Sequence, residues 1–246
     1  MMSNTMGRIT DKFLERIFEA NPRQKKSVLE TLENYFEDDD YIQLEEILAF
    51  YLQFYSLDRI ADAYISFVGD TAEETRYFLI NGRYRYSSFA DTEKLVYSNR
   101  EYMEKYMIGL ALSGYLWSNH IRVYHWFKEI MSTYTGERYL EVGPGHGRYF
   151  CEAVKKGNFQ KHDAIDLSET SVEQTKRFIS ATLDETDQKK CTVFYQDAYS
   201  FEPERKYDFV VIAEVLEHLE DPERMLKKLN KITRGADRPK TCPEQR

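Results

Sequence analysis

In the first half of the chain apolar residues recur every three or four positions. From Arg138 onward they come in short runs separated by polar stretches of helical period. Helical spacing predicts a first helix at "DKFLERIFEA", capped by Thr10 and Asp11 and stopped at Asn21-Pro22. "YIQLEEILAFYLQFY" sets Leu44, Ile47, Leu48, Tyr51, Leu52 and Tyr55 on one stripe, the pattern of a helix packed on another. "FEDDDY" (36–41) reads as a charged connector and "INGRYRYSS" (80–88) as a turn or loop, with Tyr84 and Tyr86 as candidates for a cleft entrance. Two long helices broken near Gly114 follow, so an all-α domain is expected over 1–135.

The second half has a different period. "RYLEV", "DAIDL", "CTVFYQDA" and "YDFVVIAEVL" read as strands, the last as one buried on both faces because its apolar run is continuous. Between them lie "RYFCEAVKKG", with Gly157 just past a helix end, and "SETSVEQTKRFISATLD", with a Ser171/Gln174 capping-box pattern. Asp221-Pro222 opens a further helix, with Asp as cap and Pro in the first helical position. Strands alternating with helices predict an α/β fold, a doubly wound, Rossmann-like parallel sheet over 136–232. A polar tail (233–246) closes the chain.

Charge narrows the partners. Residues 1–136 carry 15 Lys/Arg against 21 Asp/Glu (net −6) and residues 137–246 carry 19 against 21 (net −2). Neither half offers a basic face, so nucleic acid is not expected as the partner. The longest apolar runs, such as "MIGLAL", fall far short of the ~20 residues a spanning helix needs. No membrane association is expected. Cys151, Cys191 and Cys242 are scattered and odd in number, giving neither a disulfide framework nor a thiolate metal site. A cytoplasmic protein is the expectation; oligomeric state is open.

The sharpest signal is "YLEVGPGHGRYF" (139–150), where Gly143, Gly145 and Gly147 follow a strand and Glu141 precedes them by two residues. In an open parallel sheet this is the end at which ligands bind. The dinucleotide fingerprint Gly-x-Gly-x-x-Gly fails here, because Arg148 stands where its last glycine belongs. A nicotinamide-dependent oxidoreductase is therefore disfavoured. Acid-x-Gly-x-Gly-x-Gly instead resembles motif I of the class I S-adenosylmethionine-dependent methyltransferases, and the resemblance continues in chain order. Asp166 and Leu167 in "AIDLS" match the second-strand end, whose acid takes the two ribose hydroxyls in that family. Asp197 and Ala198 in "FYQDAYSF" match the pair that holds the adenine, and Glu214 opens the "EVLEHL" turn after the fourth strand.

The resemblance implies S-adenosylmethionine as cofactor and a small-molecule acceptor methylated on O or N. Residue chemistry agrees: a sulfonium ligand needs no phosphate cradle, its ammonium suits Glu141, and its ribose diol suits an acceptor-only carboxylate such as Asp166. His218, with Glu217, is the candidate base, because histidine titrates near neutral pH. Glu214, Glu217 and His218 also resemble the metal-holding Glu-x-x-Glu-His of small-RNA 2′-O-methyltransferases and some quinone-pathway O-methyltransferases. The same letters recur in relatives without metal, and none is assigned. Tyr115, Trp117, His120 and Tyr124 precede motif I and are candidates for a lid and acceptor wall, the first three as substrate contacts.

The family's sheet has seven strands. After Ile232 "TRGADRPKTCPEQR" has no apolar run, so strands five to seven are expected to be missing and "FVVIA" to form an edge with one face uncovered. Two functions are consistent with this pattern: an S-adenosylmethionine-dependent methyltransferase, and a catalytically impaired binding or interaction protein built on the same fold.

Overall fold

A computed structural model describes residues 8–83, 100–216 and 219–235. Tyr84, Tyr86, Glu217, His218 and nearly all of the polar tail lie outside the described residues. The chain divides into two compact units, 1–80 with 104–125, and 81–103 with 126–246.

The first unit is helical: α1 (Arg8–Ala20), α2 (Gln24–Asn34), α3 (Asp38–Tyr51), α4 (Leu57–Asn81) and most of α5 (Arg100–Leu116), followed by the start of α6 (Ser118–Thr133). Its core gathers Phe13, Ile17, Leu44, Ile47, Leu48 and Ile60, each at most 2% exposed. Burial of each is worth about 1.5–3 kcal/mol. Four local expectations change. The acidic stretch read as a connector is the first turn of α3, where Glu37 and Asp40 form a capping box and Asp38–Asp40 complement the helix dipole. The stripe ends at Tyr51, because α3 stops there and Leu52 is 37% exposed. Thr10 caps nothing with its own side chain: its amide and hydroxyl both donate to Glu45 Oε2, at 2.9 and 2.6 Å. The break between the long helices falls at Trp117 rather than Gly114. Gly114 lies inside α5, where a single glycine is tolerated.

The second unit carries the sheet. Its elements are β1 (Thr135–Val142), α7 (Arg148–Lys156), β2 (Asn158–Asp166), α8 (Glu169–Thr182), α9 (Glu185–Gln188), β3 (Cys191–Tyr195), β4 (Phe209–Ile212) and α10 (Pro222–Ile232). The four strands are all parallel, in the order β3-β2-β1-β4. This is the doubly wound α/β arrangement expected from the alternating pattern. The order reverses between β1 and β4, which makes that point the topological switch. Val142 pairs with Ile165 and with Ile212, and Asp166 with Tyr195, so the carboxyl ends of the four strands are level.

Two caps behave as follows. Ser168, with extended backbone, is the N-cap of α8, its Oγ accepting from the Ser171 amide at 3.3 Å. The Ser171/Gln174 pattern is thus displaced by three residues, because Ser171 already has helical neighbours on both sides. Asp221 caps α10 as expected, its Oδ1 accepting from the Arg224 amide at 2.8 Å, with Pro222 in the first turn.

β4 is neither buried on both faces nor bare on one. All four of its residues are half-buried. Val210 and Ile212 pack against a core of Leu140, Val142, Met225, Leu229 and Ile232, so α10 covers that side. On the other side Phe209 meets Tyr134 (ring centroids 4.5 Å) and stacks with Tyr139 (6.3 Å). Beyond the strand, the Tyr207 amide donates to Ile232 O (2.9 Å) and the Arg234 amide to Tyr207 O (2.7 Å), a parallel bridge. The chain after α10 therefore begins to pair where a further strand would lie, although its residues carry no apolar run.

Candidate functional site

The site is built on the turns that leave the level strand tips. After Val142 the chain must reverse into α7 within five residues, and Gly143, Gly145 and Gly147 take φ of +73°, +55° and +86° to do so. Side-chain-bearing residues rarely adopt these values. The close neighbours are protein groups: a Cβ on Gly143 would sit 2.4 Å from Val215 Cγ2, and one on Gly147 3.2 Å from Thr175 Cα. The first and third glycines thus let the loop nest between the turn after β4 and helix α8.

The loop's amides are already engaged. Gly143 N–H donates to Ile165 O (2.9 Å), Gly147 N–H to Pro144 O (2.8 Å) and Arg148 N–H to His146 Nδ1 (3.1 Å). The Gly145 amide donates to the Asp166 carboxylate. Thr175 Oγ1 donates to Gly145 O at 2.9 Å, tying the loop to α8. A pyrophosphate needs such amides open at the helix start. Here those of Gly143, Gly145, Gly147 and Arg148 are already paired with acceptors on β2 or in the loop, which tells against the dinucleotide alternative independently of Arg148.

Glu141 and Asp166 are brought together beneath this loop. Glu141 is 3% exposed, and Tyr139 Oη donates to its Oε2 at 2.7 Å. Burial pushes its carboxyl up to about 7, the Tyr139 hydrogen bond opposes that, and the nearby Asp166 charge adds to it. Asp166 also accepts from the Ser168 amide at 2.8 Å, yet burial lifts its carboxyl to about 6. Glu141 is thus cut off from water and half-buried Asp166 partly so, and positive charge brought near them would offset the loss.

This fixes a pH dependence. A carboxyl raised in the folded state keeps its proton after the unfolded chain has lost it, so its contribution to stability falls as pH rises through that window. For Glu141 the window runs from its ordinary 4.5 up to about 7. Glu141→Gln should therefore melt above wild type at pH 8, with the gap shrinking to nothing as pH falls below 4.5. Thermal unfolding followed across that range is the check, and a gap independent of pH would refute the assignment.

At the third tip the Asp197 carboxylate folds onto its own turn, accepting from the amides of Tyr199 (3.0 Å) and Ser200 (3.2 Å). Ala198 is buried in the core that α10 covers. Leu167 is half-buried beside Asp166. At the fourth tip Glu214 is exposed and holds φ +54°, a left-handed value carried by no other side-chain-bearing residue among those described. Such conformations cluster where a ligand or a switch is served.

Tyr115, Trp117 and His120 belong to the helical unit and are packed there. Tyr115 is 2% exposed. Trp117 Nε1 donates to Tyr64 Oη (3.1 Å), and His120 Nδ1 lies 3.0 Å from Ser113 Oγ. Tyr124 is buried, its hydroxyl donating to Gln43 Oε1 at 3.0 Å. Trp117 also lines a cavity of about 480 Å³ in that unit, together with Gln24, Thr31, Tyr35 and Asn119.

Several contributors were not anticipated from the sequence. Tyr139 had a signal, since positions two apart on a strand share a face and Glu141 is its neighbour. Thr175 and Val215 had none, as each reaches the loop only through the fold. His146, read only as a loop residue, caps the start of α7.

Comparison with known proteins adds the following. Residues 118–236 match the family model of a methyltransferase domain. The match starts at α6, ahead of β1. No curated protein matches the chain at a significant level. Among solved structures, the N-methyltransferase NodS of Bradyrhizobium japonicum WM9, in complex with S-adenosyl-L-homocysteine, is 17% identical at a TM-score of 0.40, over 47% of this chain and 57% of that one. The [4+2]-cyclase SpnF is 18% identical at a TM-score of 0.41, over 48% of this chain and 43% of that one. A methyltransferase of Thiobacillus denitrificans dependent on S-adenosylmethionine, in complex with S-adenosyl-L-homocysteine, is 18% identical at 0.38, over 45% and 43%. The chain spans little more than half the length of the first of these proteins, and less of the others.

Proposed function

From the match of residues 118–236 to a methyltransferase-domain family, we propose a protein that binds S-adenosylmethionine and transfers its methyl group to O or N of a small-molecule acceptor. The observation that carries the reading is the pair of carboxyls, Glu141 buried and Asp166 half-buried, both raised by burial, beside a glycine loop whose Gly143, Gly145, Gly147 and Arg148 amides are already paired. That pairing favours a ligand with positive charge and no phosphate.

The residues present fit such a group. Asp166 would accept from the two ribose hydroxyls, as an acceptor-only carboxylate does best. Asp197 and the Ala198 backbone would meet the adenine, Leu167 and Glu214 would border the nucleoside, and Glu141 would answer the ammonium of the amino-acid tail. When bound, S-adenosylmethionine supplies a methyl group on a positively charged sulfur, already activated for displacement. What remains for the chain is to orient the acceptor, exclude water and receive a proton. His218 would take the proton an acceptor hydroxyl or ammonium must lose, with Glu217 beside it in sequence. Tyr115, Trp117 and His120 remain the proposed acceptor contacts.

Titration with S-adenosylhomocysteine and transfer from methyl-labelled cofactor into small-molecule extracts test the two parts separately. Binding with transfer supports the proposal. Binding without transfer turns it into the alternative, a binding protein on a methyltransferase fold. No binding removes both. His218→Gln should cut turnover by about 10²-fold or more while leaving cofactor affinity unchanged, since a positioned base contributes that much. Equal turnover would remove His218 from the chemistry.

A further inference from the structure

The start of α3 holds an arrangement that the proposed methyl-transfer chemistry does not use. Glu37 is its N-cap and Asp40 its third residue, and His125 comes from α6 in the same helical unit. One ligand atom from each of the three lies within 4.8 Å of the others. His125 Nε2 stands 2.8 Å from Asp40 Oδ2, which also accepts from the Glu37 amide at 2.9 Å.

The second observation concerns the other oxygen of the same carboxyl. Asp40 is 0% exposed, and its Oδ1 is sealed from water with no hydrogen-bond partner among the described residues. Native structures rarely leave a buried carboxylate oxygen unmatched, since each such group carries its full desolvation penalty. The capping box accounts for Oδ2 alone. Nothing among the described residues accounts for Oδ1.

We propose that Glu37, Asp40 and His125 form a binding site for a divalent transition cation of the Zn²⁺ type. One imidazole and two carboxylates select against Ca²⁺ and Mg²⁺, which take oxygen donors, and suit Zn²⁺ with three protein ligands and a fourth position open to water. Ligand atoms around tetrahedral Zn²⁺ sit ~3.3 Å apart, so His125 and Asp40, now 2.8 Å apart, would open slightly and the exposed Glu37 carboxylate would close in on them from within 4.8 Å. Glu37 is exposed, which provides the path of entry. A cation near a helix N-terminus meets the positive end of the dipole, and here Asp38, Asp39 and Asp40 in the first turn offset that. Tyr124, beside His125, donates to Gln43 of α3 and holds the two helices in register. The bound ion would clip α3 to α6.

The test uses the full chain stripped with chelator and titrated with Zn²⁺ alone, in competition with a chromophoric chelator. One equivalent is expected to bind, with a rise in thermal midpoint as mass action requires. Glu37→Gln should weaken that binding about tenfold or more, and His125→Gln should abolish it; His218→Gln should leave it intact. Cobalt substitution should give visible absorption bands that vanish in His125→Gln. The proposal is overturned if no saturable equivalent binds, if the equivalent follows His218 instead of His125, or if Glu37→Gln binds as wild type. Because Glu37 is exposed, its variant decides the matter even should His125→Gln fold poorly.

Discussion

Gly143→Ala should lower the stability of the chain by about 2–4 kcal/mol, the sum of a left-handed backbone penalty and an overpacked contact. The added methyl would sit 2.4 Å from Val215 Cγ2 at a residue with φ +73°. Valine has only one torsion with which to withdraw, and it is stiff. Gly69→Ala provides the opposite sign: that glycine lies exposed inside α4, and a Cβ there meets nothing within 4 Å. It should stabilise by about 0.5–1 kcal/mol, because alanine loses less backbone freedom on entering a helix. Urea midpoints at unchanged slope measure both. If Gly143→Ala melts with wild type, the nesting of the loop against the turn after β4 is wrong.

Asp166→Ala should weaken S-adenosylhomocysteine binding by about 10²-fold or more. Two charge-assisted hydrogen bonds at ~1.5 kcal/mol each or more correspond to that factor. Asp166 also holds the amides of Gly145 and Ser168, so the alanine variant loosens the loop as well. Asp166→Asn separates the two effects, since it retains an acceptor for an amide but not the charge. It should fall between wild type and alanine in affinity. Its apoprotein should also be more stable than wild type at pH 8, because a carboxyl raised to about 6 is ionised there at a cost. Calorimetric titration reads the first and thermal unfolding the second. Wild-type affinity in Asp166→Ala would remove the ribose assignment and with it the proposed cofactor.

How much of this was legible beforehand differs by element. The alternation from Arg138 onward led directly to a parallel sheet, because strands buried by helices on their faces show continuous apolar runs while the helices between them show period 3.6. The three glycines led to a tight turn at a strand end, and each does take positive φ. Errors gathered at element ends. Asp38–Asp40 read as a connector because charge alone resembles a loop, whereas acids at a helix start are stabilised by the dipole and by the reciprocal bond to Glu37. The α8 cap slipped by three residues because Ser168 and Ser171 both suit the role locally. β4 gave two conflicting readings; α10 on one face and Tyr134 with Tyr139 on the other settle it as half-buried.

By itself the sequence determined the periodicities, the glycine loop and the order in which Glu141, Asp166 and Asp197 follow successive strands, since these depend only on neighbours along the chain. Only the tertiary structure decided that Glu141 lies buried against Tyr139 with its charge disfavoured, that the amides of Gly143 and Gly145 are taken up by the end of β2, and that Val215 and Thr175 fill the space the glycines leave. Those facts depend on which distant groups share a volume and on how much water is excluded there, and sequence spacing carries neither.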